Sequence, residues 1–286
     1  MTSPKNILVA PFDWGLGHAT RCIPLIKFLT ESGHQVIIAS YSGQLALLQN
    51  EFPQLQTIAL KGYNIQYAGS KRWLPFKILW QSPKILLSIR MENRWLQGAI
   101  KDFKIDMVIS DNRFGLWSKQ IPCVFINQQL TIKAPFPWLE KLIQKINYNY
   151  INHFTECWIP DFEGGFNIAG ILSHPLKMPD IPLSYIGPLC RFEKNIKVEN
   201  QYSFLILLSG SEPQRTLLEN KIFALVPKLN GNVLILRGKP GSDEKISLGP
   251  NCTVVNHLAT TQLQQSFAES EYIISRCGYT TVMEVL

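Results

Sequence analysis

Nothing at the start of this chain is long and apolar enough to serve as a membrane span or as the core of a secretory signal. After Met1-Thr-Ser-Pro-Lys-Asn6 only four apolar residues, Ile7 to Ala10, precede Pro11, too few for either role. The expected location is the cytoplasm. There is no C-x-x-C pair among the six cysteines, Cys22, Cys123, Cys157, Cys190, Cys252 and Cys277, which argues against a zinc site and against a disulfide framework. They stand mostly among apolar neighbours, as buried free thiols do. No nucleic-acid motif and no long basic stripe is present, so nucleic acid is set aside as a partner. The glycines of Gly15-Leu-Gly17 lack the third glycine of a dinucleotide fingerprint, and no acid clearly closes the next strand.

What the chain does have is enough apolar material for two globular cores, 46% of 286 residues, and a formal charge of +7. An excess of positive charge suits an anionic partner. Its densest cluster, Lys71 to Trp80 followed by Lys84 and Arg90, interleaves cations with Trp73, Phe76 and Trp80. That mixture fits peripheral contact with the inner face of a membrane. It equally fits a long loop with inward aromatics and solvated lysines.

Apolar runs alternate with helix-period segments. Strands are expected at Asn6 to Pro11, Gln35 to Ser40, Gln56 to Leu60, Met107 to Ser110, Cys123 to Ile126 and Glu156 to Ile159. Between them fall a helix ending at Gly33, one from about Gly43 to Phe52, a long one opened by Ser82-Pro83, and one from about Trp138 to Phe154. This order predicts an α/β protein with a doubly wound parallel sheet over residues 1–189. A polar linker follows at 190–201. The pattern restarts over 202–286, with strands Ser203 to Ser209, Asn232 to Leu236 and Thr253 to Asn256, and helices from about Pro213 to Leu225 and Thr260 to Ala268. The expectation is two Rossmann-like domains facing a cleft, the second incomplete, since no stop signal follows Leu286.

Three loops carry the chemistry. Gly15 and Gly17 let the chain turn out of the first strand, and His18 stands at the start of the helix, as a base, a ligand contact or a residue merely bonded to the turn. The loop Ser209-Gly-Ser-Glu-Pro-Gln-Arg-Thr216 ends a strand at Gly210, and Ser211 or Glu212 can cap the helix beyond. Its N–H groups can hold a phosphate, or the loop is a plain helix cap. At the end of the chain, Tyr272 to Ser275 reads as a buried strand that passes Arg276 and turns at Gly278 into a helix opened by Thr280 and Thr281, an arrangement suited to an anion.

Together, Gly15-Leu-Gly-His-Ala-Thr-Arg21, Ser209 to Thr216 and Ser275-Arg-Cys-Gly-Tyr-Thr-Thr-Val-Met-Glu284 resemble the GT-B glycosyltransferases related to MurG, which attach N-acetylglucosamine from UDP. The resemblance spans nearly the whole chain. It implies donor nucleotide on the second domain and acceptor on the first. It also implies that Glu284 binds the ribose hydroxyls and that Gly278 to Thr281 face the diphosphate. Gly187-Pro-Leu-Cys-Arg191 resembles the stretch whose arginine reaches that diphosphate, which makes Arg191 a phosphate clamp or else a solvated linker charge. Val255-Asn-His-Leu258 matches the place where backbone pairs with the uracil edge, with His257 and Leu258 as base neighbours. Cys277 and Tyr279 depart from the small residues usual beside the glycine, which leaves the donor sugar open.

On the acceptor side, Asp111 ends a short strand, as a base or as a turn aspartate. The expected reaction is inverting and needs neither metal nor cofactor. A hydroxyl of a carbohydrate or lipid-linked acceptor, deprotonated by His18 or Asp111, attacks the sugar, and Arg191 and helix N-termini stabilise departing UDP. Two rivals stay open: UDP-sugar hydrolysis of the nonulosonic acid synthesis type, and a non-catalytic nucleotide-sugar-binding subunit.

Overall fold

The computed structural model describes residues 3–63, 74–134, 136–192, 198–210 and 212–286, with backbone alone from 74 to 82. The basic aromatic stretch from Lys71 to Trp80 therefore lies outside the described residues except for helical backbone from Leu74, and Ser211 lies outside them altogether.

The first sheet has seven strands in the order β3-β2-β1-β4-β5-β6-β7, all parallel. They are β1 (Asn6–Pro11), β2 (Gln35–Ser40), β3 (Gln56–Ala59), β4 (Met107–Asp111), β5 (Cys123–Ile126), β6 (Glu156–Ile159) and β7 (Leu183–Tyr185). Such strands are buried on both faces, so each reads as a continuous apolar run. Val9, Ile38, Ile109 and Phe125 are accordingly sealed from solvent. In chain order these strands are interleaved with α1 (Gly17–Glu31), α2 (Ser42–Glu51), α3 (Leu74–Asp102) and α4 (Pro137–Ile151).

The second sheet is also parallel and contains β8 (Tyr202–Leu207), β9 (Val233–Leu236), β10 (Cys252–Val255) and β11 (Ser270–Ser275), in the order β10-β9-β8-β11. It follows the same doubly wound plan. Its helices are α5 (Gln214–Leu225), α6 (Thr260–Ala268) and α7 (Tyr279–Val285).

Three expectations change. Pro83 lies inside α3 and does not open it; a proline does appear in the first turn, where its missing N–H costs nothing, but it is Pro75. β7 forms where no strand was expected. β11 is not buried: it lies at the sheet edge with Tyr272 and Ile274 exposed. The cysteines are all free, but only Cys22, Cys123 and Cys157 are buried, and Cys277 is exposed. Burial pushes the Cys123 thiol up to about 11 and the Cys157 thiol up to about 12.

The chain divides into two compact units. One comprises residues 1–13, 24–40 and 55–189, and the other 14–23, 41–54 and 190–286. The loop after β1 and the helix α2 thus cluster with the second sheet.

Candidate active site

In the second unit the loops leaving the carboxyl ends of β8, β9, β10 and β11 carry the residues of interest. The strand order reverses between β8 and β11, the place where open parallel sheets take ligands. Gly210 follows β8 there with φ of 110°, a conformation costly for any side chain. A Cβ at Gly210 would come within 2.6 Å of Arg276 Nη1, so the exposed guanidinium that follows β11 lies directly over the glycine. Beyond it, α5 starts at Gln214, and Glu212 caps it by accepting from the Thr216 N–H (3.2 Å) and hydroxyl (2.7 Å).

The Gly15 to Arg21 loop packs against these strand ends. The Thr280 hydroxyl donates to the Gly17 carbonyl at 3.1 Å, and a Cβ on Gly17 would meet Thr280 Oγ1 at 3.1 Å. The Gln44 amide donates to the Gly15 carbonyl. Glu51 at the end of α2 caps α6, accepting from the N–H and the hydroxyl of Thr260, both at 2.7 Å. Gly278 is the N-cap of α7, and no side chain caps it.

His18 is the second residue of α1, and its Nδ1 lies 3.0 Å from Arg21 Nη2. A guanidinium can only donate, so Nδ1 accepts, and the neutral imidazole carries its proton on Nε2. Arg21 itself is buried.

Arg191 and Glu284 meet each other. The guanidinium donates through Nε to Glu284 Oε1 at 2.6 Å, both side chains 6% exposed, and Arg191 also lies 5.5 Å from the centre of the Phe192 ring. Burial pushes the Glu284 carboxyl above its ordinary value, and Arg191 acts against that rise. His257 sits close enough to feel the charges of Arg191 and Glu51. Burial and then Arg191 hold its imidazole below the ordinary value, with Glu51 opposing. Its Nε2 is buried without a hydrogen-bond partner.

Of the expected site residues, Gly15, Gly17, His18, Arg191, Gly210, His257, Leu258, Ser275, Arg276, Gly278, Thr280, Thr281 and Glu284 thus belong to one unit. Asp111 belongs to the other, as the last residue of β4 and fully buried.

Beside Asp111 the structure shows a cluster that sequence reasoning missed. Arg113 uses all three guanidinium nitrogens: Nε on Glu92 Oε1 (2.6 Å), Nη1 on the Pro11 carbonyl (3.1 Å) and Nη2 on the Lys61 carbonyl (2.8 Å). Glu92 Oε2 accepts from the Tyr63 hydroxyl (2.7 Å) and the Gly115 N–H (2.9 Å). Burial, then the Glu92 charge, pushes the Tyr63 phenol well up, so it stays a donor. The visible signal is Glu92 among the apolar residues of α3; its partner is not visible. In the second unit Arg237 likewise pairs with Glu219 (2.6 Å) and Glu244 (2.8 Å), and Arg215 with Glu219 (3.2 Å) and Glu212 (2.6 Å).

Among the described residues no three of His, Cys, Asp and Glu converge as a metal site, and no helix is long and apolar enough to cross a membrane.

Two parallel doubly wound sheets, one of seven strands and one of four, with a glycine-lined turn at the strand reversal, fit the GT-B class. Residues 6–147 match the family described as Glycosyl transferase family 1. The chain is 23% identical over 295 residues to an uncharacterized glycosyltransferase of Methanosarcina acetivorans, covering 95% of this chain and 74% of that protein. In fold it is similar to Arabidopsis thaliana UGT89C1, solved with UDP-L-rhamnose, with a TM-score of 0.58 at 13% identity over 99% of this chain and 76% of that one. It is also similar to SnogD from Streptomyces nogalater, with a TM-score of 0.54 at 15% identity over 98% of this chain and 78% of that one. The chain is a glycosyltransferase with the GT-B fold, which sets aside the expectation of a non-catalytic subunit.

Proposed function

We propose that this glycosyltransferase moves a hexosyl group, N-acetylglucosamine in the first instance, from a UDP-sugar to a hydroxyl acceptor, with inversion and without a metal. The observation that carries the proposal is the gathering in one unit of the Gly15 to Arg21 loop, the Arg276 guanidinium over Gly210, the Arg191–Glu284 pair and the unpartnered Nε2 of His257. Cations beside a glycine turn suit a diphosphate. A carboxylate suits ribose hydroxyls, and a buried imidazole nitrogen suits a polar edge of the base. UGT89C1, of like fold, was solved with UDP-L-rhamnose.

In the reaction, the acceptor oxygen bonds to the anomeric carbon as the bond from that carbon to the β-phosphate oxygen breaks, and UDP takes the electron pair. Arg276 and Arg191 stabilise the charge that grows on it. Because His18 Nδ1 accepts from Arg21, its neutral imidazole presents an N–H at Nε2; His18 and Asp111 are both kept as candidates to take the acceptor's proton. A lipid-linked or cell-envelope acceptor is the reading of choice, from the likeness to MurG-type enzymes and the basic aromatic stretch from Lys71 to Trp80.

Incubation with UDP-, GDP- and TDP-sugars and an acceptor panel tests this. UDP-sugars should be consumed with inversion at the anomeric carbon and without sensitivity to chelation. A fall in turnover of about a hundredfold or more on Asp111→Asn or on His18→Gln identifies the base. Retention of configuration, or an equal rate with GDP-sugars, would sink the proposal. UDP release without acceptor, lost on His18→Ala, would point to hydrolysis.

A further inference from the structure

The helix α4 sets Tyr148 and Ile151 in the core yet leaves a second apolar stripe exposed. Along a globular helix the apolar stripe faces the core, but here Trp138, Leu142 and Ile146 recur at every fourth position and are 66%, 49% and 46% exposed. The inward side instead carries Asn147, whose amide Nδ2 is buried without a partner, beside Tyr148 and Ile151. The helix is held in this orientation. Gln144 accepts from the Ile132 N–H (2.8 Å) and donates to the Leu130 carbonyl (2.6 Å), and the Tyr148 hydroxyl donates to the Lys177 carbonyl (2.6 Å).

The exposed stripe extends over about 12 Å of helix. Phe136, itself exposed, stacks on Trp138 at its start, ring centres 6.4 Å apart. Lys141 and Lys145 are exposed one position before Leu142 and Ile146 and so form a second row beside the apolar one. From 131 to 151 there are three lysines and one acid, and that acid, Glu140, already pairs with Lys133 at 3.1 Å. Aromatics at one end, an aliphatic stripe and a flanking row of uncompensated lysines are what the surface of an anionic bilayer complements.

We propose that this face of α4 docks the protein on an anionic lipid bilayer, lying in the interface with Trp138, Leu142 and Ile146 toward the acyl chains and Lys141 and Lys145 on the headgroups. Its role does not depend on the identity of the sugar donor.

Flotation of the full chain with vesicles, in the absence of any sugar nucleotide, tests it. The protein should float with mixed phosphatidylcholine and phosphatidylglycerol, not with phosphatidylcholine alone, and salt should release it. Lys141→Gln with Lys145→Gln should lower partitioning about fivefold per lysine, and replacing Trp138, Leu142 and Ile146 by serine should lower it about tenfold or more. Circular dichroism checks that each variant folds. Because the lysine pair is solvent-exposed, it decides the matter even if the serine variant does not fold. No binding to the anionic vesicles, binding indifferent to both variants, or a lipid-free dimer in sedimentation that the serine variant dissolves would overturn the proposal.

Discussion

Two buried arginine–glutamate pairs, one in each unit, have the same 2.6 Å contact and opposite surroundings. Around Arg113–Glu92 every polar atom is used: three guanidinium nitrogens and both carboxylate oxygens have protein partners. Around Arg191–Glu284, among the described residues, the guanidinium makes one hydrogen bond, through Nε, and the carboxylate accepts only that one, while His257, which feels the Arg191 charge, has an Nε2 with none. A saturated pair fixes a backbone; here it ties the turn after β4 to α3 and to the ends of β1 and β3. An unsaturated pair keeps polar atoms for something that is not protein. The charge type is the same, so the difference lies in the count of partners.

The comparison can be broken most severely at the saturated pair. Glu92→Ala strands a fully buried guanidinium and should cost about 3–5 kcal/mol in urea unfolding; a cost below about 1 kcal/mol would mean the cluster is no scaffold.

Next is Asp161, saturated in the same way by the N–H groups of Phe162, Ile168 and Ala169 and the Ser173 hydroxyl. Burial works to raise its carboxyl, but these donors outweigh it and hold the group below its ordinary value. A depressed folded value means that the stabilisation is complete above the unfolded value of about 4 and is lost as pH falls through the folded one. Asp161→Asn should therefore cost about 2 kcal/mol at neutral pH and less in acid. An equal cost at both would refute the ionic account.

At the unsaturated pair the effect should move from folding to binding. Glu284→Gln keeps an acceptor for Arg191 and should cost only about 1 kcal/mol of stability, yet weaken UDP binding in calorimetry about tenfold. The reverse outcome, large on folding and nil on UDP, would make this pair a scaffold too.

The smallest effect is at His257. Its depressed value means that the unfolded chain takes up a proton the folded one refuses, so stability falls as pH drops below about 6.5. His257→Leu should flatten that slope and change stability at pH 8 by less than about 1 kcal/mol, while lowering UDP affinity.

Strands such as Gln35–Ser40 and Cys123–Ile126 were legible because both faces are buried and the apolar run equals the strand. β7 was not, because Leu183-Ser-Tyr185 has no such run and exists by pairing with Cys157, Trp158 and Ile159. The start of α3 was misplaced because Ser82-Pro83 looks like a helix opening, and nothing local distinguishes it from Leu74-Pro75. Of the site, the glycine turns at 15 and 210 could be read locally, since their positive φ is a demand of backbone conformation. The pairings Arg191–Glu284, Glu51–Thr260 and Arg113–Glu92 could not, because each joins residues that only the fold brings together.

The tight approach at Gly115 has a consequence for how tolerance to substitution should be interpreted. Any Cβ there would fall 2.4 Å from the Ile89 carbonyl and 2.7 Å from Glu92 Oε2, so a library saturated at position 115 should return glycine alone, under selection for folding and with no substrate involved. At Gly17 the obstacle is a single rotatable hydroxyl, on Thr280, and alanine should survive that selection. Intolerance shared by the two positions would then appear only when sugar transfer is what the library must achieve.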